Sequence, residues 1–439
     1  MTNVTAFGRV TALVALLTAA CGGGASGGGG ESDPDEAGRL QFGPPPAEDA
    51  GEIDSPQEKT SFVPAKHPAL PQVISYGGPV LANPKIQLVG YTSDPNLADM
   101  EAFAEELTHT TFWSDTTSEY GVGALEILPP IAITDPPPAS ITDAALQAEI
   151  ATGTSGANPP WGPADASTIY LMVLPPGTVE ADKQGACCAG YDGYHSEAMV
   201  GSVSVPYAVS CACHGFDGPD ITDVEERTVN ASHELVEAAT EPFPYSNPAY
   251  GREDDDDIVW TLTTVGEVGD MCEFNNDAYY VPPGATYMIQ RTWSNAAARL
   301  TLNPCVPQTL STAPYFNAAP ALQAVAYPLP SGGSIATRGL TIPFGQSQTI
   351  DVVLFSDTSM PGPWKVTAYD FGYLLGGPTN LDLSLDKNSG QNGDTLHLTI
   401  RAVSSNSDIA GEAFILYSEY GSPGTAQYQN NLAMGLVLN

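Results

Sequence analysis

The sequence predicts an α/β domain followed by an all-β domain. Up to about residue 305, apolar runs of strand length alternate with segments that carry apolar residues at helical spacing. After Cys305 the segments become short and alternating, with turn residues between them. The chain of 439 residues is also longer than one hydrophobic core usually organises. We therefore expect two folded domains, at 61–306 and 307–439.

The elements of the first domain follow from its apolar patterns. These patterns predict helices at 97–107 and 143–151 and strands at 87–91, 170–174, 203–209 (interrupted by Pro206), 258–260 and 287–289. A long helix is marked between residues 222 and 241, because Thr222 and Glu225 have the spacing of a capping box and Pro242 ends the apolar pattern. Alternating strands and helices are typical of a mixed α/β domain.

The second domain is predicted from strand candidates at 340–342, 350–355, 364–369, 381–385, 396–400 and 413–417, with turn candidates at 388–390 and 392–394. Several short strands in about 130 residues are typical of an antiparallel β-sandwich of the immunoglobulin-like kind.

The N-terminus has the pattern of an export signal. After Arg9, the apolar run at 10–17 leads to small residues and Cys21, followed by a Gly-rich stretch. Residues 1–21 resemble a bacterial lipoprotein signal peptide, in which Cys21 is lipidated; the alternative is an ordinary signal peptide cut near Ala20. Residues 22–60, rich in Gly, Pro and acid, are predicted to be a disordered tether. We expect a protein anchored to a membrane at the periplasm or cell surface.

Composition excludes one class of partner. The chain has 51 acidic against 14 basic residues and a formal charge of −37, which repels nucleic acid and anionic lipid surfaces. With Cys21 set aside, six cysteines remain in an exported chain, an even number that predicts three disulfides among about 15 possible connectivities. The rival interpretation is a metal–thiolate site, but none of these cysteines has CxxC spacing.

The long helix contains the sequence His-Glu-x-x-Glu. His233 and Glu237 lie at i and i+4 on one helical face, so both can bind one zinc ion, and Glu234 is placed to take a proton from a metal-activated water. We expect a third ligand from Glu267 or Asp270, which come shortly before Cys272, one of the cysteines expected to form a disulfide. The alternative is that His233 and Glu237 form only a surface pair.

Three other groups carry weaker signals. His195 and His214 lie near cysteines, and we interpret both as polar residues of loops rather than ligands. The acidic run 254–257 offers Ca²⁺ ligands but lacks the alternating spacing of an EF-hand, so a solvated acidic loop is favoured. The sequence has no phosphate-binding glycine loop after a strand and no GxSxG elbow.

The order of these elements over about 62–306 resembles the exordium-like, or phosphate-induced, secreted proteins. The similar elements are the segment 74–81, Cys187 and Cys188 before Gly193-Tyr194-His195, Cys211 and Cys213 before the long helix, the helix end at 239–242, the acidic residues before Cys272, and Trp293 before Cys305. Bacterial members of that family often keep His-Glu-x-x-Glu and look like zincin metalloproteases, whereas plant members are associated with cell-wall growth.

The resemblance implies a zincin-like domain with a zinc-binding active-site helix. The leading hypothesis is an exported, lipid-anchored, zinc-dependent hydrolase, most simply a metallopeptidase acting on a peptide or cell-wall substrate. Its metal ligands would be His233, Glu237 and either Asp270 or Glu267, with Glu234 as the general base. The alternative is a non-catalytic protein that binds a cell surface or cell wall through a degenerate metalloprotease-like scaffold.

Overall fold

The computed structural model describes residues 62–181, 185–216, 221–308, 313–330, 332–404, 410–423, 425 and 428–439. The predicted signal peptide, the lipidation site Cys21 and the tether 22–60 lie outside these residues. Within the described part of the chain, no helix combines the length and apolarity needed to cross a bilayer.

The first part of the chain is a mixed α/β structure. Its strands are β1 (Val73–Ile74), β2 (Lys85–Tyr91), β3 (Glu126–Ile127), β4 (Ile131–Ile133), β5 (Ser140–Ile141), β6 (Thr168–Val173), β7 (Val179–Glu180), β8 (Gly193–Val200), β9 (Val203–Ser210), β10 (Arg252–Glu253), β11 (Tyr279–Tyr280), β12 (Ile289–Gln290), β13 (Thr292–Trp293) and β14 (Cys305–Val306). Its helices are α1 (Leu97–Glu106), α2 (Phe112–Thr117), α3 (Asp143–Thr154), α4 (Asp223–Thr240), α5 (Val259–Thr264), α6 (Asp270–Glu273) and α7 (Asn295–Arg299).

The central sheet has the order β3-β2-β6-β9-β8, with β4 also paired to β2. Strands β2, β6 and β9 are parallel, and β8 runs antiparallel to β9 at the edge. Every residue of β6 is buried because both faces of this strand are covered, which explains its continuous apolar sequence. The predicted strands at 87–91 and 170–174 and helices at 97–107 and 143–151 correspond to β2, β6, α1 and α3.

Helix α4 is the element that places the candidate site. The predicted capping box is present, since Thr222 accepts a hydrogen bond from the backbone of Glu225 and the Glu225 side chain accepts one from the backbone of Thr222. Every residue from Glu226 to Thr240 is buried. Near its start, Arg227 forms a bidentate ion pair with Asp94 at 3.1 and 2.7 Å, which fixes α4 beside the carboxyl end of β2.

Three local predictions for the first part of the chain failed, one of them in part, since only Ile289 of the strand expected at 287–289 lies in a strand, β12. Strand β9 runs through Pro206 without interruption, because β6 pairs with β9 only from Tyr207 onward and the missing N–H of Pro206 costs no bond on that side. The segment 258–260, expected as a strand, forms the start of helix α5. Its β-branched and aromatic residues face the core, where packing overrides their strand preference.

The second part of the chain is built from strands, with one short helix, α8 (Phe371–Leu374). The strands are β15 (Phe316–Pro320), β16 (Gln323–Pro328), β17 (Ser334–Thr341), β18 (Ser347–Ser356), β19 (Trp364–Asp370), β20 (Leu381–Leu385), β21 (Ser389–Gly390), β22 (Thr395–Ala402), β23 (Glu412–Tyr420) and β24 (Gln429–Leu438).

These strands form two sheets, ordered β15-β18-β22-β20 and β16-β17-β24-β23-β19-β21. One hydrophobic core takes side chains from both sheets, including Leu354 and Leu398 of the first and Phe414 and Leu416 of the second. Five of the six predicted strand segments lie within these strands, and the sixth, 340–342, overlaps the end of β17 by two residues. Ser389 and Gly390, expected in a turn, pair with β19 as β21.

The two parts of the chain share a second core. Met434 and Leu436 of β24 belong to the same cluster of buried side chains as Trp260 of α5 and Met271 of α6. The hydroxyl of Thr263 lies 3.3 Å from the sulfur of Met434. The sandwich therefore packs directly against helices α5 and α6 and is not joined to the first part of the chain by a flexible linker alone.

The cysteines form three disulfides, as predicted: Cys187–Cys211, Cys188–Cys213 and Cys272–Cys305. The first two join the segments that flank the β8–β9 hairpin. The third ties α6 to β14.

Candidate metal centre

Helix α4 aligns His233, Glu237 and Glu241, the residue that caps its C-terminal end, along one face at intervals of four residues. Nε2 of His233 lies 3.1 Å from Oε2 of Glu237. Both side chains are buried, His233 being 3% and Glu237 2% exposed. The interpretation of this pair as a surface contact was therefore wrong, because α4 lies inside the domain and its polar face points into the interior.

A strained turn brings two more carboxylates to this face. Val265, a β-branched residue, has φ 74° and Gly266 has φ 84°, both in the left-handed region. Beyond this turn, Oδ1 of Asp270 lies 3.6 Å from Nε2 of His233. The backbone N–H of Gly269 donates to Oε1 of Glu237 at 2.9 Å, so the other oxygen of that carboxylate faces the histidine. The turn therefore positions Asp270 and orients Glu237 together.

Gln290 of β12 contacts the ring of His233 on its Nδ1 side. Nδ1 of His233 lies 3.1 Å from Oε1 of Gln290, and the amide nitrogen of Gln290 donates to the carbonyl of Gly269 at 2.9 Å. Because the amide donates elsewhere through its nitrogen, its oxygen accepts the proton of Nδ1, and in the neutral ring Nε2 is then the unprotonated atom that could bind a metal. Metal-binding histidines usually have such a partner behind the ring.

His195 enters the site from β8, so its interpretation as a loop residue was wrong. Its Nδ1 lies 3.7 Å from Oε2 of Glu234, 3.5 Å from Oε2 of Glu237 and 3.8 Å from Oε2 of Glu267. Its Nε2 is buried and makes no hydrogen bond to the described residues. Burial lowers the pKa of this imidazole, but hydrogen bonds that the ring donates to Glu234 and Glu237, together with the charges of these carboxylates, outweigh burial and raise the pKa to about 10.

The pKa values of the other titratable groups in the site are shifted in opposite directions. Burial disfavours the charged form of His233, but Glu237 and Glu234 hold its pKa well above the ordinary value. Burial likewise opposes ionisation of Glu237, but the two histidines hold its pKa well below the usual range. Burial raises the pKa of Glu267 well above the usual range, and the charges of Glu237, Glu241 and Asp270 add to the effect. Such opposed shifts in one buried cluster are typical of functional sites.

The spacing of the ligand atoms fits a bound metal. Zinc bonds to nitrogen and oxygen are about 2.0–2.2 Å long, so ligand atoms at two corners of a tetrahedron lie about 3.3–3.6 Å apart. The separations of 3.1 and 3.6 Å around Nε2 of His233 and of 3.5 Å from His195 to Glu237 are close to this value. An ideal Cβ on Gly269 would lie 2.7 Å from Oε1 of Glu237, so only glycine leaves room for the backbone here.

Three groups of described residues have the spacing to hold a cation, and all three lie here. They are His233, Glu237 and Asp270; His195, Glu234 and Glu237; and His195, Glu241 and Glu267. Of the two carboxylates predicted as the third ligand, Asp270 therefore approaches His233, and Glu267 approaches His195.

The weaker candidates lie elsewhere. His214 is exposed in a loop and pairs with Asp223 at 2.6 Å, in agreement with its interpretation as a loop residue. The run 254–257 supplies none of the three groups among the described residues. It is also less solvated than expected, since Asp257 pairs with Arg338 of the sandwich.

Sequence reasoning missed His195 as a site residue and did not consider Glu241. The sequence contains a signal for Glu241, since it continues the four-residue interval of His233 and Glu237. His195 has no such signal, because its approach depends on the pairing of β8 with β9 and on the packing of both against α4.

No family model and no curated protein matches this sequence. Among solved structures, domains 4 and 5 of the S-layer protein SbsC match with a TM-score of 0.16 and 10% identity over 34% of this chain and 91% of that chain. Domains 1–6 of SbsC match with a TM-score of 0.16 and 11% identity over 34% of this chain and 23% of that chain. TM-scores this low identify no shared fold.

Proposed function

We propose that this chain is a zinc-dependent hydrolase, most simply a metallopeptidase, with His233, Glu237 and Asp270 as ligands and Glu234 as general base. The observation that carries the proposal is that two carboxylate oxygens, Oε2 of Glu237 and Oδ1 of Asp270, lie 3.1 and 3.6 Å from Nε2 of His233. They come from two separate segments and are buried together, which is the arrangement of a built metal site rather than of surface ion pairs.

Zinc held by these ligands would polarise a carbonyl group and lower the pKa of a bound water to about 7. Three protein ligands leave the open position that catalytic zinc sites require. Gln290 keeps Nε2 of His233 unprotonated, and the N–H of Gly269 holds Glu237 in its rotamer.

Glu234 is suited to the role of base because it follows His233 on α4 without belonging to the His233–Glu237–Asp270 group. One of its oxygens accepts a long hydrogen bond, 3.5 Å, from the amide of Asn230, and the other lies 3.7 Å from Nδ1 of His195. Glu234 would take a proton from water at the site and hand it to the leaving group.

An extended peptide is the substrate that the sheet favours. Strand β8, which carries His195, lies at the edge of the central sheet in the described part of the chain. A peptide that pairs with the outer side of β8 would add a strand to the sheet and run past the candidate ligands. Backbone hydrogen bonds would then hold the substrate, and side-chain pockets would select it.

We also propose the domain folds and the localisation that the sequence predicts. The first domain would be zincin-like, the second an immunoglobulin-like sandwich, and lipidated Cys21 with the tether 22–60 would hold the enzyme at a membrane outside the cytoplasm. Its substrates would be peptides or peptide-containing wall material. Weak Ca²⁺ binding by the acidic surface is a further expectation that calcium titration with a melting curve would test.

The proposal is tested by the zinc content and peptidase activity of three proteins. Wild type should retain zinc after gel filtration and hydrolyse members of a peptide library, and His233→Ala should hold less zinc than wild type and lose hydrolysis. His109→Ala, which removes an exposed histidine, is the matched control and should behave as wild type.

Glu234→Gln separates binding from catalysis. It should keep zinc and lose activity by about 100-fold or more, since general-base catalysis contributes about 10²–10⁴-fold. Equal zinc in wild type and His233→Ala would refute the metal site. Zinc binding without hydrolysis of any peptide would favour the alternative, a surface-binding protein on a degenerate scaffold.

A further inference from the structure

We propose that the site binds a second divalent cation, held by His195, Glu241 and Glu267. The inference rests on the proposed function, because it places this cation next to the zinc at His233 and makes the centre dinuclear. The ligand atoms of the three residues lie within 4.8 Å of one another, and Nδ1 of His195 lies 3.8 Å from Oε2 of Glu267. They come from β8, from the end of α4 and from the strained turn before α6.

The first argument is that buried polar atoms in this group have no protein partner. Glu241 is 1% exposed, and neither of its oxygens makes a well-formed hydrogen bond to a described residue, although the backbone of Ala249 and the carboxylate of Glu267 lie beside it. Nε2 of His195 is also buried without a partner. A buried carboxylate without a donor is costly, and such groups are rare in folded proteins unless water or an ion completes them. A cation bound to Nδ1 of His195 and to the carboxylates would satisfy the oxygens of Glu241.

The second argument is charge. The centre contains five buried carboxylates, those of Glu234, Glu237, Glu241, Glu267 and Asp270. Among the described residues, no lysine or arginine pairs with the four glutamates. The last turn of α4 carries no basic residue either, although Glu241 caps the negative end of the helix dipole. Because metal binding requires deprotonated ligands, the metal-bound centre would carry about five negative charges, of which one divalent ion would leave about three uncompensated and two ions about one.

The third argument is that the two ligand groups are joined by Glu237. Its Oε2 lies 3.1 Å from Nε2 of His233 and 3.5 Å from Nδ1 of His195, so it faces both histidines. A carboxylate between two cations is the usual bridge of dinuclear hydrolase sites, in which the ions lie about 3.5–4 Å apart. The ligand set of the second position, one imidazole and two carboxylates, suits zinc or manganese.

The test counts metal ions per chain without relying on activity. Metal-free protein is loaded with zinc, passed through gel filtration and measured by elemental analysis. Wild type should hold two zinc ions, and Glu241→Gln and His195→Ala should each hold one. Glu105→Gln, which changes an exposed glutamate of α1, is the matched control and should hold two.

Zinc-edge anomalous diffraction from wild-type crystals gives the same count without any variant. Two peaks, one beside His233 and one beside His195, are the expected result. A single ion in wild type that Glu241→Gln retains and His233→Ala loses would overturn the second site and leave the proposed function standing. No bound ion in wild type would overturn both.

Discussion

The backbone N–H of Gly269 and the carboxylate of Glu237 form a hydrogen bond of 2.9 Å that links the turn before α6 to helix α4. One oxygen of Glu237 is used in this bond, and the other faces the two histidines. The orientation of the candidate ligand Glu237 is therefore set by a main-chain contact, and it is sensitive to any atom added at residue 269.

Gly269→Ala should weaken zinc binding by about 10- to 100-fold, the range for changes that disturb the groups orienting a ligand. Gly269 has φ −76° and ψ −47°, which alanine adopts readily, so the effect is steric. The new Cβ would lie 2.7 Å from Glu237 and 2.8 Å from Nε2 of His233. Zinc titration checks this, with Gly362→Ala, whose nearest contact is 4.0 Å, as control. Equal affinities in both variants would contradict the prediction.

Gln290→Leu should also lower zinc affinity, by about 10- to 100-fold, while the fold persists. The reason differs: without the amide oxygen, His233 is no longer held in the tautomer that leaves Nε2 free. Competition with a chromogenic chelator measures the affinity. Gln323→Leu, at an exposed position of β16, is the matched control. Unchanged zinc affinity in Gln290→Leu would show that His233 does not need the contact with Gln290 to bind zinc.

Replacing Cys272 and Cys305 together by alanine should destabilise the protein by about 3–4 kcal/mol in the chain-entropy account of disulfides. Their sequence separation is 33, and the bond holds α6 against β14. Because Asp270 is in α6, the zinc affinity should fall as well. Denaturant unfolding and zinc titration are the measurements. The Cys188→Ala/Cys213→Ala variant removes a disulfide away from α6, in a loop that Cys187–Cys211 still closes, so its loss of stability should be smaller. It should lose stability but keep the zinc at His233.

Asp257→Asn should become steadily more stable relative to wild type as the pH rises from about 4 to about 7. Burial, partly offset by the charge of Arg338, raises the pKa of Asp257 to about 7. The unfolded state ionises near pH 4, so the folded state holds the extra proton and wild type loses stability across this interval. Asparagine does not titrate. Unfolding free energies of both proteins at several pH values test the sign, and parallel curves would contradict it.

Much of the fold is predictable because its signals are local. The capping box and Pro242 define α4 within a few residues, and the uninterrupted apolar run of β6 indicates a strand covered on both faces. The failure at 258–260 has a physical cause: an intrinsic strand preference of under about 1 kcal/mol per residue is small beside the burial of Trp260 and its neighbours.

The site was predictable only where its geometry is local. His233 and Glu237 are related by the period of one helix, so their spacing is visible in the sequence. The roles of Asp270 and Glu267 depend on the path of a turn with two left-handed residues, which no pattern of residue types specifies. His195 depends on pairing between β8 and β9 and on the position of α4, both of which are tertiary.

The packing of β24 behind α5 and α6 has a consequence for when this centre forms. Asp270 precedes the start of β24 at Gln429 by 159 residues, yet the apolar support of its segment includes Met434 and Leu436. A chain emerging from a ribosome or a translocation channel would expose His233 and Glu237 long before that support exists. We therefore expect the candidate centre to be completed only after the sandwich has closed, so that a chain lacking β24 would contain the candidate ligands without the full support of their segment.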